Sequence, residues 1–534
     1  MKMSQSLLAD TMPVLFGGAK TQLMARLHEY QGKALLAAHG LKTPSGRAVK
    51  SPDGAREAAV EIGGPVVLKV QAWVTGRKAL GGVKFADTPD EAARDADALL
   101  GLRFGNFPVE EVLVEACLDI EHELFVSLTI DDAARSPILL LDCEGGSGIE
   151  DRADAVARLA ISVNGGIDRN EVLAVLGASS IPEPAHAALA AAIDTIVQTA
   201  SDIEARSLEV NPLAVLRDGS VCAADCRVTI DDYAVFRHPE LGIEIARELD
   251  HPATQLERIA YRLEQEDHRG TFYFAQLPTE GCDESRGVIG FHGAGGGGSM
   301  MSMDAVTNAG YTLANFCDTS GNPSAAKVYR AARVILAQQG LTGYFGSGSG
   351  VASQEQFHSA YGLAKAFNEM GMTLPTVIRL GGNAEDRAVE ILEDACRDLP
   401  GVVEGYRKDD TPAFCGERFR TIMDASGGVT SDTLARTIPD WVGGDAEAFP
   451  IEGGHVWIDA DQCDEALTAK MAEWSSGLLT DDGSGRPALA VDEEAAFKAD
   501  SEFIACEIEC LRIGRPVLFV DLPIAGIDTP EDEA

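Results

Sequence analysis

Six residues in the first half of the chain have types and spacings that could handle a polyphosphate and a hard cation: Lys69, Arg77, Glu115, Glu209, Asn211 and Asp225. Lys69 stands inside the apolar run Gly64-Pro-Val-Val-Leu-Lys69-Val-Gln, where an ammonium is costly unless it meets an anion. A basic, glycine-containing turn follows, Thr75-Gly76-Arg77-Lys78-Ala-Leu-Gly81-Gly82-Val-Lys84. Cations on adjacent strands around such a loop suit a polyphosphate; the same pattern also reads as a solvated surface hairpin. Glu115, in Val112-Leu-Val-Glu115-Ala-Cys117, falls where a strand end could reach a base or a ribose. Later come Leu208-Glu209-Val-Asn211-Pro212, an Asp218-Gly219 hairpin turn and Val221-Cys-Ala-Ala-Asp225. A Glu, an Asn and an Asp on two paired strands could converge on one face, and hard oxygen ligands suit Mg²⁺ held between protein and phosphates. Taken singly, an Asn-Pro turn and a strand-end Asp are ordinary structural features.

A second candidate lies at Ile289 to Ala305. A short apolar run ends there in Gly293 and the unbroken glycines Gly295 to Gly298, and a helical pattern starts near Ser299. A strand, a loop without side chains and a helix N-terminus together form an anion site; without that context the same glycines read as a flexible linker. His292, just before the loop, could pair with an anionic group, carry a phosphoryl group, or simply pack at the strand end.

The elements that must position these residues are legible in outline. Leu27 to Leu41 has helical spacing with a stop at Gly40, then a short strand and a second helix over 52–62. Residues 246–284 read as a charged connector. Beyond it, apolar strands at 310–316, 341–345 and 375–380 alternate with helices at 324–338, 354–369 and 384–399. That alternation predicts an open parallel sheet with helices on both faces, and such sheets bind ligands at the carboxyl ends of their strands. Gly346-Ser-Gly-Ser-Gly350 and Gly381-Gly-Asn383 stand at such ends.

At 534 residues the chain is long enough for several domains, and its formal charge of −40 argues against nucleic acid or an anionic membrane as partner. No apolar run approaches the ~20 residues a bilayer requires. Eleven scattered cysteines do not form a disulfide framework, so a reducing cytoplasm is expected. Residues 1–26 lack a secretory pattern and read as an extension or a misplaced start.

Taken together, these motifs resemble the succinyl-CoA synthetase beta subunit: an ATP-grasp domain over 27–245 and a flavodoxin-like CoA-ligase domain over 285–430, both α/β. Lys69 to Lys84, Val-Glu115-Ala, Glu123-Leu-Phe, Glu209-Val-Asn211-Pro-Leu, Asp225 and Arg237-His-Pro-Glu240 carry the likeness. The resemblance implies that Lys69, Gly76 and Arg77 hold ATP phosphates, with Glu115, Cys117 and Glu123 along the nucleotide. It implies that Asn211 and Asp225 ligate Mg²⁺ and that Glu209 faces the histidine receiving the phosphoryl group. That histidine would belong to an alpha-type, CoA-binding partner. The glycine loop, with Gly293 and Gly295, would be the second station, where phosphate meets a small carboxylic acid.

Four departures from the family pattern stand out, one of them the turn Asp318-Thr-Ser-Gly-Asn-Pro in place of a more glycine-rich one. Lys78 replaces a glycine. His292 stands where succinate enzymes carry an asparagine. Gly346 to Gly350, with Ser347 and Gly348, is longer and serine-rich where the family has Gly-Gly-Ile. The departures at the second loop leave the acid open among succinate, malate, sulfoacetate and bulkier carboxylates. A non-catalytic, nucleotide-binding subunit is the remaining alternative.

Beyond Gly428 this likeness stops. Residues 445–525, with Cys463, Ala466, Ala469 and Glu473 at an iron–sulfur spacing and later Cys506 and Cys510, resemble a degenerate bacterial ferredoxin. A small α+β appendix without a cluster is expected.

Overall fold

The computed structural model describes residues 25–72, 77–104, 107–145, 156–247, 251–267, 271–279, 286–348, 352–490 and 499–529. Gly76 lies outside them. The chain forms two compact units, Met1–Ala253 and Thr254–Ala534.

The described residues of the first unit hold two large antiparallel sheets and a two-stranded pair, Arg103–Phe104 with Phe107–Pro108. The smaller of the two large sheets runs Gly46–Val49, Val112–Ala116, Val66–Val70, Val83–Ala86 in spatial order. Helices Pro52–Ile62 and Pro89–Leu100 cover it, each opened by a capping hydroxyl (Ser51, Thr88) and a proline at the first position. Alanines Ala55, Ala58, Ala92 and Ala96 let these helices sit close over Val66, Leu68, Val70, Val112 and Val114. The period of two in a strand then turns Lys69 and Glu115 to the opposite face, away from this core. The larger sheet is built on two twelve-residue strands, Ile120–Asp131 and Ala205–Leu216. Arg227–Ile230 and Val221–Ala223 also pair with Ala205–Leu216.

The second unit is a parallel sheet in the spatial order Asn315–Asp318, Val288–Ala294, Gly343–Gly348, Thr376–Arg379, Val403–Tyr406. Numbered along the chain, this is the 2-1-3-4-5 order of doubly wound sheets, whose chain reverses direction around the first strand. Helices Ala325–Leu336, Phe357–Glu369 and Glu385–Cys396 share one core. Gly296–Asn308 and Pro412–Ala425 pack on the other face, over Ile289, Phe291 and Phe345. The stretch read as a connector contributes helix Gln255–Glu266 and strand Tyr273–Gln276, which extends this sheet as its antiparallel edge. The run read as one strand over 310–316 is two short pieces, Thr312–Leu313 and Asn315–Asp318.

The described residues between 447 and 521 include a three-stranded antiparallel sheet, Glu447–Ile451, Gly454–Ile458 and Leu518–Asp521, with helices Glu465–Trp474 and Asp500–Arg512. This appendix shares the core of the parallel-sheet unit: Phe503, Ile504 and Ile508 join Ala364, Phe367 and Tyr329. Lys365, wholly buried, lies 2.5 Å from Glu369 and 2.8 Å from Glu507 of the appendix, and Arg436 bridges Glu369 and Asp521 at 2.9 and 2.8 Å. Cys506 and Cys510 are buried there, and the Cys463 thiol is 4.0 Å from the Met471 sulfur. No helix among the described residues is long and apolar enough to cross a membrane.

Candidate functional site

Lys69 finds the anions its burial demands. Its Nζ lies 2.8 Å from Glu29 and 2.6 Å from Glu115, and it donates to the Ala224 carbonyl at 2.7 Å. Glu29 opens the helix Glu29–Ala38, and Lys33, one turn on, donates to Glu29 at 2.7 Å and to both Glu115 oxygens at 2.8 and 2.7 Å. Arg77 reaches Glu29 at 2.8 Å and meets both oxygens of Asp225, at 3.0 and 2.9 Å. Three cations and three carboxylates thus interlock. Burial alone would raise the Glu29 pKa, but Lys33, Lys69 and Arg77 hold it well below the usual carboxylate range. Burial would likewise strip the Lys69 proton; Glu29, Glu115 and Asp225 hold its pKa above the ordinary lysine value.

Glu209 sits on the long strand, opposite Ser127 on one neighbour and Arg227 on the other. The register of that strand against Ile120–Asp131 shifts between Val210 and Leu213, across Asn211. Asp225 follows strand Val221–Ala223 instead of lying on it, and a backbone bond from Ala224 to the Pro212 carbonyl (3.0 Å) brings its connector beside Asn211. A cavity of about 270 Å³ adjoins the cluster, lined by Arg26, His28, Glu29, Arg77, Arg206, Glu209 and Arg227. Four arginines facing two carboxylates give it the chemistry to hold a phosphoryl group. Burial first, then Arg77 and Lys50, lower the His28 pKa to about 4, so it is neutral there. Cys117 and Glu123 are both exposed, Cys117 at the end of strand Val112–Ala116 and Glu123 near the start of Ile120–Asp131.

No group of three or more His, Cys, Asp or Glu among the described residues is arranged to hold a metal. Asn211 and Asp225 offer one amide and one carboxylate, and the Asp225 side chain is 26% exposed. That donor set fits Mg²⁺, which takes most of its ligands from water and phosphate and few from protein.

At the glycine stretch the strand passes almost directly into the helix. Strand Val288–Ala294 is followed by Gly295 at φ 99°, and the helix begins at Gly296, three residues ahead of the Ser299 start read from the pattern. Only glycine takes that backbone angle readily. A Cβ on Gly293 would come within 2.2 Å of the Ser299 hydroxyl and 2.8 Å of the Cys317 carbonyl, so the close strand–helix approach requires glycine there. Asp318, at the end of the neighbouring strand, accepts the N–H groups of Gly295 (2.9 Å) and Ser320 (2.8 Å).

His292 is a packed strand-end residue. Its Nδ1 lies 2.7 Å from the Tyr344 hydroxyl and its Nε2 3.3 Å from Thr319, whose own hydroxyl donates to Gly293. That chain assigns the proton to Nε2, with Tyr344 donating to Nδ1. Burial lowers its pKa to about 4. Neutral and bonded at both nitrogens, it is not arranged to pair with an anion or to accept a phosphoryl group. Ser347 and Gly348 belong to strand Gly343–Gly348 and not to a loop after it, and the Ser347 hydroxyl is spent on Ser302 at 2.6 Å. His292, Ser347 and Gly348 border a void of about 20 Å³, roughly the size of one water. They support the glycine turn from beneath; its open face is the backbone from Gly295 onward.

Glu29 and Lys33 escaped the sequence reading because they sit within a helix that looks ordinarily amphipathic. Their spacing of four, on the helix's buried face, was the available signal. Asp318 was noted only as part of a turn.

The ATP-grasp domain family matches residues 26–215. The succinate–CoA ligase [GDP-forming] subunit beta of Thermus thermophilus is 34% identical over 372 residues, 69% of this chain and 93% of the relative. The ADP-forming subunit beta of Ignicoccus hospitalis is also 34% identical, over 69% of this chain and 94% of its own. Among solved structures, ATP citrate lyase from Methanothrix soehngenii, in complex with citrate and coenzyme A, aligns with a TM-score of 0.61 at 18% identity. That alignment covers 75% of this chain and 99% of the lyase chain, a likeness of fold.

Proposed function

Because the chain belongs to the succinate–CoA ligase beta-subunit family, we propose that it is the nucleotide-handling subunit of an ADP-forming acid–CoA ligase acting on succinate or a similar short carboxylate. The observation that carries the reading is the buried convergence of Lys69 and Arg77 beside Asp225 and the arginine-lined cavity.

In this reading Lys69, Arg77 and the backbone at Gly76 bind the ATP phosphates. Glu115, Cys117 and Glu123 border the nucleoside. Asn211 and Asp225 hold Mg²⁺, which neutralises charge on the phosphates. Glu209 orients a histidine of an alpha-type, CoA-binding partner. The histidine nitrogen takes the γ-phosphoryl group, and ADP leaves as the P–O bond breaks. The acid's carboxylate oxygen then takes that group from the histidine, giving an acyl phosphate, and the CoA thiolate attacks the acyl carbon and releases phosphate. The second transfer is assigned to the face of the turn formed by Gly293 and Gly295. His292 and Ser347 enter only as its support, so no observation favours malate or sulfoacetate. The ten described cysteines are free thiols, which supports a reducing compartment, the cytoplasm.

Purification with and without an alpha-type chain, followed by assay of acid- and CoA-dependent ADP release, tests this. Turnover is expected only for the pair. Robust turnover by the lone chain would sink the two-subunit scheme, and Mg-ATP binding without phosphoryl transfer to any partner would favour a non-catalytic subunit.

A further inference from the structure

We propose that Glu29 is a positioning residue: it holds Lys69 and Arg77 at a shared spacing for the incoming phosphates, and it stays in place when Asp225 is released to the metal. The inference rests on the nucleotide-binding reading above.

Glu29 is the one carboxylate of the cluster that touches all three cations. Its Oε1 is 2.7 Å from Lys33 and 2.8 Å from Lys69, and its Oε2 is 2.8 Å from Arg77. Lys69 belongs to the small sheet, whereas Arg77 follows in the turn between strands Val66–Val70 and Val83–Ala86. The Arg77 guanidinium is tied to the end of Lys69's strand by a 3.1 Å bond to the Val70 carbonyl, but that bond does not touch the Lys69 ammonium, and setting both charges against one point takes a shared anchor. Glu29 supplies that anchor from a helix of its own.

The two carboxylates on Arg77 differ in exposure: the Glu29 side chain is 1% exposed, that of Asp225 26%. A buried carboxylate cannot leave its partners without a large desolvation cost, while a quarter-exposed one can exchange partners cheaply. On arrival of nucleotide and Mg²⁺, Arg77 therefore exchanges Asp225 for phosphate and keeps Glu29. Lys33, bound to both Glu29 and Glu115, offsets the charge of the two anchors, so Lys69 and Arg77 retain net positive charge for the ligand. This is preorganisation: the donors are fixed before the phosphates arrive.

The test uses the assembled two-subunit enzyme carrying Glu29→Asp, which keeps the charge and shortens its reach, and Glu29→Gln, which keeps the shape and removes the charge. For both, KM for ATP should rise about tenfold or more, with KM for the acid and for CoA within about twofold. Calorimetric Mg-ATP binding to the beta chain alone should weaken in parallel. If Glu29→Gln does not fold, Glu29→Asp decides. An unchanged KM for ATP in Glu29→Asp overturns the proposal, as does a uniform fall in kcat with all three KM values unmoved. If the wild-type pair releases no ADP, the ligase reading fails, and the calorimetric comparison of wild type with Glu29→Asp still judges the role of Glu29.

Discussion

Arg77 and Asp225, 148 residues apart in sequence, meet through one guanidinium nitrogen that lies 3.0 and 2.9 Å from the two carboxylate oxygens. A proposed phosphate ligand and a proposed metal ligand thus satisfy each other until nucleotide and Mg²⁺ compete for both. Asp225→Asn should weaken that exchange at the metal end, lowering kcat by about 100-fold or more, because metal charge stabilisation contributes several kcal/mol to phosphoryl transfer. Steady-state kinetics across a Mg²⁺ titration will measure it, and chelation of Mg²⁺ should abolish ADP release by the wild type.

Lys69→Met should destabilise as well as inactivate. It leaves Glu29 and Glu115, both buried, with fewer cations between them. Breaking a buried pair from one side costs about 3–5 kcal/mol. Urea unfolding of the beta chain, read as a shift in midpoint, gives the value; a midpoint matching wild type would show that Lys33 and Arg77 suffice to balance the two carboxylates.

His292 predicts an acid-side loss of stability. Its pKa is about 4 when folded and 6.5 as the ordinary value. Between those values the unfolded chain binds the proton and the folded chain does not. Stability from this residue is therefore complete above pH 6.5 and is lost as pH falls towards 4, by about 3 kcal/mol in all. In His292→Gln the slope of stability against pH over that window should flatten.

The glycines at the turn should differ sharply. Gly293→Ala forces a Cβ against the Ser299 hydroxyl and the Cys317 carbonyl, for about 1–3 kcal/mol of destabilisation. Gly297→Ala meets nothing within 4 Å and lies in the first turn of the helix, so it should be neutral or stabilising by up to about 1 kcal/mol. Thermal melts of the two variants side by side check the contrast.

Glu507→Ala leaves the wholly buried Lys365 without its appendix partner. A loss of about 3 kcal/mol in the stability of the parallel-sheet unit is expected, seen as a lower denaturant midpoint. An unaltered midpoint would argue that the appendix is merely tethered.

The sequence by itself determined most of the order of elements and the doubly wound sheet, and it singled out Lys69, Arg77, Glu209, Asn211 and Asp225 as candidates, because strand and helix periods and short motifs are local properties. Glu115 was placed at a strand end for reach to a base; the same alternation turns it towards Lys69, 46 positions away, and that contact is not local. Neither are the Glu29 anchor or the partnership of His292 with Tyr344. The helix start at Gly296 runs against glycine's poor helix propensity, overridden by the packing of Ser299 on Gly293 and by the Asp318 carboxylate that holds the Gly295 N–H just ahead of the helix. Helix Gln255–Glu266 was hidden by its charge density, although Leu256, Ile259, Ala260 and Leu263 keep helical spacing. Tertiary structure alone decided which charges are buried together, since the cost of burying a charge is set by partners that only the folded chain brings within reach.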